Sequence, residues 1–375
     1  MLNDDLIGVP GGRWKLQTPA LVLDIEALER NIARMADHAR RSGIALRPHA
    51  KTHKSAEIAR RQIAAGALGV CCAKLGEAEA LAEAGIDSIL ITSPMVTDGG
   101  IARLAALNAR IAGLIAVCDN AGTALRLDAA AGAAGKTLRI FVDIDPGMGR
   151  TGIRPDRAVP LVEQVAAAQN LEYAGLQCYA GQVQHMESPN QRRDASLSAL
   201  KELALLRDEL GARNLAPQIL SGGGTGTFDI DPDARTLTEL QAGSYVFMDR
   251  QYNDVWTKPG GRPPFETSLF VQTTVISANR PGMVTTDAGL KAFATDDGVP
   301  VIAEGAPEGA AYFFFGDEQG GVAAPPGAGA LRLGDAVACV VPHCDPTVNL
   351  YDRYHVVRGD VLEAVWPVDG RGRSA

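Results

Sequence analysis

The segment Leu138-Arg-Ile-Phe-Val-Asp-Ile144 is a short apolar run that lies between two segments of helical periodicity, 121–134 and 158–169. Similar apolar runs occur on both sides of it, at 44–46, 69–72, 88–92, 114–117, 173–179, 218–220 and 243–247. Eight short strands that alternate with helices predict an α/β fold, a parallel (β/α)8 barrel of the TIM type. An open dinucleotide-binding sheet would carry a glycine-rich turn after its first strand, and this chain has none there.

The residue composition changes after the predicted barrel. The Pro- and Gly-rich loop Lys258-Pro-Gly-Gly-Arg-Pro-Pro264 is followed by segments in which β-branched residues dominate. We predict strands in these segments at 268–277, 282–286, 336–341 and in a hairpin over 354–365. A further strand at 20–24 precedes a predicted helix over 26–41. We therefore expect a barrel domain at 25–255 and a mostly antiparallel β domain formed by 1–24 plus 256–375.

Composition and charge exclude several classes of protein. Of the 375 residues, 46% are apolar and 21% are charged, which is ordinary for a soluble globular protein. The net charge of −8 argues against a nucleic-acid partner, and no apolar run is long enough to cross a bilayer. The six cysteines lie mostly in apolar runs and are expected to be buried thiols. Because the first residues also lack the features of a signal peptide, we expect a cytoplasmic protein without a membrane partner.

The motif Arg47-Pro-His-Ala-Lys-Thr-His-Lys54 directly follows the first predicted strand. Active sites of TIM-type barrels are built at the carboxyl ends of the strands. A lysine that is held away from water and close to other cations has a lowered pKa and attacks carbonyl groups. A solvated loop lysine is the ordinary alternative. The crowding of two histidines and two lysines into eight residues favours a reactive amine at Lys51.

Two glycine-containing loops are candidates for phosphate binding. The loop Ser221-Gly-Gly-Gly-Thr-Gly-Thr227 follows the seventh predicted strand, and Gly243-Ser244 lies at the eighth. Barrels often bind phosphate after these two strands, where backbone N–H groups approach the anion and Thr225 adds a hydroxyl donor. A tight turn is the alternative for a glycine cluster alone. A phosphate site combined with a reactive lysine on the same rim predicts pyridoxal 5'-phosphate (PLP) as the cofactor.

The motif His343-Cys-Asp-Pro-Thr-Val-Asn349 is a candidate metal site near the C-terminus. In an extended segment His343 and Asp345 would point to the same side, while Cys344 would face away. An imidazole and a carboxylate favour a borderline or hard divalent cation. With two protein ligands, water and substrate must complete the coordination, which suits a catalytic site. For the spacing alone, an ordinary polar turn ended by Pro346 stays the stronger interpretation.

Taken together, these motifs resemble the D-threonine aldolase family of PLP enzymes, which combines an alanine-racemase-type barrel with a β domain. The resemblance runs from residue 18 to residue 366. It is carried by six motifs in order: the motif around Lys51, Gly69-Val-Cys-Cys72, Gly175-Leu-Gln177 through Gln184-His185, Ser221-Gly-Gly-Gly-Thr-Gly226, Leu240-Gln-Ala-Gly-Ser-Tyr245 and Pro342-His-Cys-Asp-Pro-Thr347.

The resemblance implies a role for each candidate residue. Lys51 would form the Schiff base with PLP, Arg150 would face the pyridine nitrogen, and His185 would be the catalytic base. His343 and Asp345 would bind Mn²⁺ or Mg²⁺, with Zn²⁺ as a further candidate. A homodimer is also implied. The other residues expected around the cofactor are Tyr179, Gly224, Thr225, Gly226, Gly243, Ser244 and Tyr252.

The activity implied by the resemblance is the cleavage of D-3-hydroxy amino acids, such as D-threonine or D-3-hydroxyaspartate, to glycine and an aldehyde. The metal would lower the pKa of the substrate hydroxyl, and His185 would remove its proton. The chain has Ala73 where relatives carry Gln, and Ala180 where they carry a larger polar residue. These two differences concern the size of the pocket and therefore the choice among substrates.

Three alternatives share the scaffold. A D-serine or 3-hydroxyaspartate dehydratase would use Lys51 to remove the α-proton, but such relatives usually have Cys two residues after the metal-binding histidine, where this chain has Asp345. An alanine-type racemase would leave the metal pair without a task. A non-catalytic PLP-carrying protein would resemble the barrel half alone.

Overall fold

The computed structural model describes residues 2–375. In these residues the strands are β1 (Ala20–Asp24), β2 (Ala45–Leu46), β3 (Val70–Cys72), β4 (Ser88–Ile91), β5 (Gly113–Cys118), β6 (Leu138–Asp143), β7 (Leu171–Cys178), β8 (Ile219–Gly222), β9 (Glu239–Leu240), β10 (Leu269–Arg280), β11 (Met283–Thr286), β12 (Val301–Glu304), β13 (Ala311–Phe314), β14 (Gly320–Ala323), β15 (Ala336–Val340), β16 (Arg353–Arg358) and β17 (Val361–Pro367). The α-helices are α1 (Ile25–Ser42), α2 (Ala56–Ala64), α3 (Leu75–Glu83), α4 (Asp98–Arg110), α5 (Ala121–Ala133), α6 (Pro155–Ala167), α7 (Pro189–Ala212), α8 (Arg250–Thr257) and α9 (Cys344–Val348).

The chain forms two compact units. The first, called here the barrel unit, consists of Arg34–Gly243 and Gly372–Ala375. The second, called here the β unit, consists of Met1–Ala33 and Ser244–Arg371. These limits come from contacts between Cα atoms, and the domain limits expected from the sequence stay a prediction.

The barrel unit contains an eight-stranded parallel sheet in the order β2-β9-β8-β7-β6-β5-β4-β3. The two end strands are linked by a parallel bridge between His49 and Cys71, and the amide of Ala50 donates to the Cys71 carbonyl at 2.7 Å. The apolar side chains Leu90, Ile115 and Phe141 form part of a fully buried cluster on consecutive strands. The predicted TIM-type barrel is therefore confirmed.

The predicted eighth strand at 243–247 is wrong. The eighth barrel strand is Glu239–Leu240, which pairs with Ala45–Leu46 on one side and with Ser221–Gly222 on the other. Residues Ser244–Val246 form a short 3-10 helix. The run looked like a strand because Tyr245, Val246, Phe247 and Met248 are apolar and fully buried, and a short buried apolar run has no periodicity that separates strand from helix.

The β unit contains a nine-stranded sheet in which β13-β14-β11-β10-β1-β16-β17 form one path and β15 pairs with β10 and β12. All pairs are antiparallel except β1 with β16, which is parallel. Strand β1 lies in the middle of this sheet because both of its edges are paired, with β10 and with β16. The predicted antiparallel domain and the predicted hairpin, formed by β16 and β17, are therefore confirmed.

The cysteines agree with the expectation from the sequence, since all six are free and buried. Within residues 2–375, no helix combines the length and the apolar character needed to cross a membrane.

Candidate active site

Lys51 is half-buried and lies in the turn that follows β2, as predicted. Its backbone N–H donates to Nδ1 of His49 at 3.4 Å, and Nε2 of His49 lies 3.1 Å from the hydroxyl of Thr92. Because a backbone amide can only donate, Nδ1 accepts and the ring proton is on Nε2. The Thr92 hydroxyl in turn donates to the carbonyl of Cys72 at 3.2 Å. This chain of hydrogen bonds holds the backbone of the Lys51 turn against strands β3 and β4.

The other charged and imidazole groups of the motif hold the turn. The amide of Ser55 donates to Nδ1 of His53 at 3.1 Å, and Nε2 of the same ring lies 3.2 Å from the Gln62 side-chain oxygen. Lys54 is buried and forms an ion pair of 2.9 Å with buried Glu77. Nδ1 of each histidine thus accepts a backbone N–H, and Lys54 is paired with a carboxylate. The cationic surroundings expected for Lys51 stay a prediction.

Arg150 and Tyr179 are brought together from the carboxyl ends of neighbouring strands β6 and β7. The guanidinium of Arg150 lies over the Tyr179 ring, 5.5 Å from its centroid. The loop that carries Arg150 is folded around the Asp145 carboxylate, which accepts from the amides of Gly147 and Met148 at 3.0 and 2.8 Å. The exposed guanidinium of Arg150 is therefore held by the Tyr179 ring at this rim of the barrel.

Asp143, at the end of β6, is a buried carboxyl group next to this loop. Burial raises its pKa to about 6, and hydrogen bonds from Gln177 and Thr151 oppose the rise. The Gln177 amide donates at 2.9 Å and the Thr151 hydroxyl at 2.9 Å. Arg150 also favours the charged form of Asp143. The loop and the strand end are thus coupled electrostatically.

The loop 222–227 is fixed by Gln184, whose supporting role no pattern in the sequence indicates. The side-chain oxygen of Gln184 accepts from the amide of Gly226 at 2.9 Å, and its nitrogen donates to the Thr227 hydroxyl at 3.1 Å. Thr227 donates to the buried carboxylate of Asp231 at 2.7 Å. Gln184 is buried while the next residue, His185, is exposed, so one short segment carries both the loop support and the candidate base.

Two features near Lys51 fit a bound phosphate: a close backbone approach at Gly243 and a hydroxyl group on Thr52 that is unpaired within residues 2–375. Gly243 approaches the Lys51 turn so closely that a Cβ atom there would lie 2.7 Å from the hydroxyl of Thr52 and 2.9 Å from the carbonyl of His49. The Thr52 hydroxyl is buried and has no hydrogen-bond partner among the described residues. Buried hydroxyl groups are normally paired, so this donor fits a bound anion. Thr225, also predicted to bind phosphate, is buried on the neighbouring loop.

We expect Gly226→Ala to distort this loop. A Cβ atom at position 226 would lie 2.0 Å from the carbonyl oxygen of Gln184, so the backbone must move. Overpacking of this kind lowers the free energy of unfolding by about 1–3 kcal/mol, and the displaced loop should also weaken PLP binding. Gly211→Ala is the matched control, because nothing lies within 4 Å of its added Cβ. Urea unfolding and PLP titration of both variants check this; a Gly226→Ala protein equal to Gly211→Ala in both measurements would contradict it.

In the β unit, Asp249 organises the segments that carry the remaining candidate residues. Its buried carboxylate accepts from the amide of Tyr252 at 2.8 Å and from the amide of Cys344 at 2.8 Å. Burial raises the pKa of Asp249, and these hydrogen bonds oppose the rise. The side chain caps α8, on which Tyr252 is buried, and also holds the start of α9. Ser244 is buried in the short 3-10 helix at the start of this part of the chain.

The extended geometry predicted for 343–345 is wrong. His343 precedes the first turn of α9, and Cys344 and Asp345 are already helical. The hydroxyl of Thr347 donates to the His343 carbonyl at 2.7 Å, which stabilises this helical turn. Cys344 is buried and Asp345 is partly exposed, and the Cys344 thiol donates to Oδ1 of Asp345 at 3.4 Å, so the two side chains do not face opposite ways. The segment is helical instead of extended because the side chains of Asp249 and Thr347 bond to its backbone and favour a helical turn.

His343 has a carboxylate partner that lies outside the motif. Its Nδ1 is 2.6 Å from Oδ2 of Asp296. Among residues 2–375, no three His, Cys, Asp or Glu side chains form a group that could hold a metal ion. An imidazole and a carboxylate, the donors of His343 and Asp345, are of the kinds that bind an ion with several water or substrate ligands, as Mg²⁺ has. Two such donors fit a structural zinc site poorly, since such sites need four protein ligands.

Comparison with known proteins gives two matching family profiles. Residues 23–251 match "Alanine racemase, N-terminal domain", and residues 268–357 match "Putative serine dehydratase domain". The first match covers the barrel strands and the second covers strands β10 to β16 with the His343 motif.

Individual relatives match over nearly the whole chain. A 3-hydroxy-D-aspartate aldolase from Paracoccus denitrificans is 39% identical and covers 99% of this chain and 96% of its own. A D-threonine aldolase from Arthrobacter sp. is 40% identical and covers 96% of this chain and 94% of its own. The crystal structure of D-threonine aldolase from Filomicrobium marinum superimposes with a TM-score of 0.91 and 37% identity, covering 96% of this chain and 97% of that one.

These matches confirm the resemblance inferred from the six motifs. They extend over both units, which excludes a likeness limited to the barrel. The chain therefore belongs to the alanine-racemase-like family of PLP enzymes, in the group that contains the D-threonine and 3-hydroxy-D-aspartate aldolases.

Proposed function

We propose that the protein is a PLP- and divalent-metal-dependent aldolase that cleaves D-3-hydroxy amino acids to glycine and an aldehyde. The proposal is carried by one observation: relatives named as aldolases match nearly the full chain, including both the Lys51 segment and the His343 segment. D-Threonine and D-3-hydroxyaspartate are the substrates to test, since the names of these relatives give those two.

Four residues of the barrel unit have roles in this proposal. Lys51 would hold PLP covalently, and Gly243 with Thr225 would contact its phosphate. Arg150 would contact the pyridine nitrogen, where a guanidinium that does not release its proton keeps that nitrogen unprotonated. Weakening the electron sink in this way suppresses racemisation. When bound, PLP supplies the sink for the electrons of the broken Cα–Cβ bond.

His185 would act as the base that removes the proton of the substrate's 3-hydroxyl group. It is exposed on the segment after β7, and its neighbour Gln184 fixes that segment to loop 222–227. His343 and Asp345 would hold the divalent cation, with Mn²⁺ and Mg²⁺ favoured because only two protein donors are assigned. A bound cation supplies a Lewis acid that lowers the pKa of a hydroxyl group.

Dehydration is the second candidate, favoured by the match of residues 268–357 to a putative serine dehydratase domain. The residue types of the motif support the aldolase instead. A dehydratase of this scaffold is expected to have a thiolate two residues after His343, where this chain has the carboxylate of Asp345. Cys344 does not replace it, because its side chain is fully buried.

The two candidates are separated by their products. The protein would be incubated with PLP, Mn²⁺ and either D-threonine or D-3-hydroxyaspartate, and glycine and ammonia would be measured. We expect glycine with an equimolar aldehyde from at least one substrate. Ammonia without glycine would show that the protein is a dehydratase and not an aldolase.

Metal removal tests the part assigned to His343 and Asp345. After chelation we expect glycine formation to fall roughly 100-fold or more, because several kcal/mol of Lewis-acid stabilisation are lost. The absorbance of bound PLP should stay, since Lys51, Thr225 and Gly243 belong to the barrel unit and none of them is assigned to the metal. Addition of Mn²⁺ should restore the rate. Full turnover by the chelated protein, verified as metal-free by elemental analysis, would refute the metal requirement.

A further inference from the structure

The Asp296 carboxylate makes a short contact with the candidate metal ligand His343. The distance from Oδ2 of Asp296 to Nδ1 of His343 is 2.6 Å, and the two residues are 47 positions apart in the chain. The pair is partly open to solvent, with 25% of the His343 side chain and 54% of the Asp296 side chain exposed. Exposed pairs contribute little to stability, so a stabilising role does not account for this contact.

The segment that carries Asp296 is held in place at both ends. On one side, the guanidinium of Arg250 donates to the carbonyl of Asp297, and also to the carbonyl of Val299 at 3.0 Å. On the other side, the amide of Ala294 donates to the hydroxyl of Thr347 at 3.0 Å. That hydroxyl donates to the carbonyl of His343 itself. Asp296 is thus positioned relative to His343 by contacts other than its own.

The contact determines which nitrogen of His343 can bind a metal. A carboxylate only accepts hydrogen bonds, so Nδ1 of His343 carries the proton that points at Asp296. In the neutral ring the lone pair is then on Nε2, which is the form that ligates a cation. Metal-binding histidines commonly have such a carboxylate on the other ring nitrogen, and it also makes the ligand more basic.

We propose that Asp296 is a positioning residue of the metal site, which selects the Nδ1–H tautomer of His343 and orients Nε2 toward the cation. The inference rests on the proposed function, because that proposal assigns His343 to the metal. It adds a residue outside the His343 motif and predicts how metal affinity depends on it.

The main test is Mn²⁺ binding to the PLP-loaded protein, measured by isothermal titration calorimetry. We expect Asp296→Ala to raise the Kd roughly 10- to 100-fold, as loss of an outer-shell carboxylate does at other metal sites. Asp296→Asn should have a smaller effect, because its amide oxygen still accepts from Nδ1–H. Asp317→Asn is the matched control, since it makes the same change of charge at an exposed position between β13 and β14.

Two results would overturn the inference. One is an Asp296→Ala protein with the Kd of the wild type. The other is a loss of binding as complete as that of His343→Ala, because Asp296 would then be a ligand itself. Failure of the proposed metal site gives a different result: His343→Ala would bind Mn²⁺ as the wild type does.

A second measurement needs neither metal nor turnover. In ¹⁵N-histidine NMR spectra of the metal-free protein at mildly alkaline pH, His343 should show the Nδ1–H tautomer, with the signal assigned by its absence in His343→Asn. Asp296→Ala should shift the ring toward the Nε2–H form that free imidazole side chains prefer. An Nε2–H tautomer in the wild type would contradict the assignment of Asp296, whatever the metal affinities are.

Discussion

Glycine formation by Lys51→Ala is expected to fall by on the order of 10³-fold or more, the scale seen when a covalent nucleophile is removed. The alanine variant should fold, because Lys51 is only half-buried and its backbone N–H to His49 is retained. It should also lose the covalent attachment of PLP. The measurement is glycine release from D-threonine or D-3-hydroxyaspartate in the presence of Mn²⁺.

Lys201→Ala, at an exposed position of α7, is the matched control and should keep the wild-type rate. Borohydride reduction of the wild-type protein followed by peptide mapping should place the pyridoxyl label on the peptide that contains Lys51. Recovery of the label on any other lysine, or wild-type turnover by Lys51→Ala, would remove the basis of the proposed function.

Arg47→Met should lower the free energy of unfolding by about 3–5 kcal/mol, because it leaves the buried Glu239 carboxylate without its cation. Arg47 donates to both carboxylate oxygens of Glu239, at 3.0 and 3.2 Å, and the two side chains are 6% and 1% exposed. The pair joins the end of β2 to β9, the short strand that the sequence prediction placed at 243–247. Urea unfolding gives the free-energy change.

Arg30→Met is the control for this prediction. Arg30 makes a two-bond contact with Glu266 at 2.8 Å for each bond, but the side chains are 56% and 51% exposed. An exposed pair contributes about 0–1 kcal/mol, so the loss of Arg30 should lower the free energy of unfolding much less than the loss of the buried Arg47. The double variant Arg47→Met/Glu239→Gln should recover part of the stability. Equal destabilisation by Arg47→Met and Arg30→Met would mean that the buried pair is no more important than a surface pair.

Much of the fold could be predicted from the sequence because local periodicity and burial leave a direct signal. Strands β2 to β8 were each located, since an apolar run between helical segments has few other interpretations in an α/β chain. The eighth strand was missed because Glu239–Leu240 has two residues, one of them charged. Its strand character depends on pairing with Ala45–Leu46, almost 200 residues earlier in the chain.

In the candidate site, too, local motifs could be predicted from the sequence and contacts with distant residues could not. Lys51, the glycine loop 222–227 and the His343 motif could be predicted because each is a dense local motif whose residue types indicate their chemistry. The partners of Lys54 and His53 could not be predicted, since they are Glu77 and Gln62 on helices that follow.

By itself, the sequence determined the class of fold, the family and the candidate residues for the chemistry, because these depend on local patterns and on short motifs. Only the tertiary structure decided which side chains support them: Gln184 beneath the glycine loop, and Asp296 against His343. These contacts join residues 42 and 47 positions apart. Such pairings arise from how the chain closes its loops and packs, and no local pattern in the sequence records them.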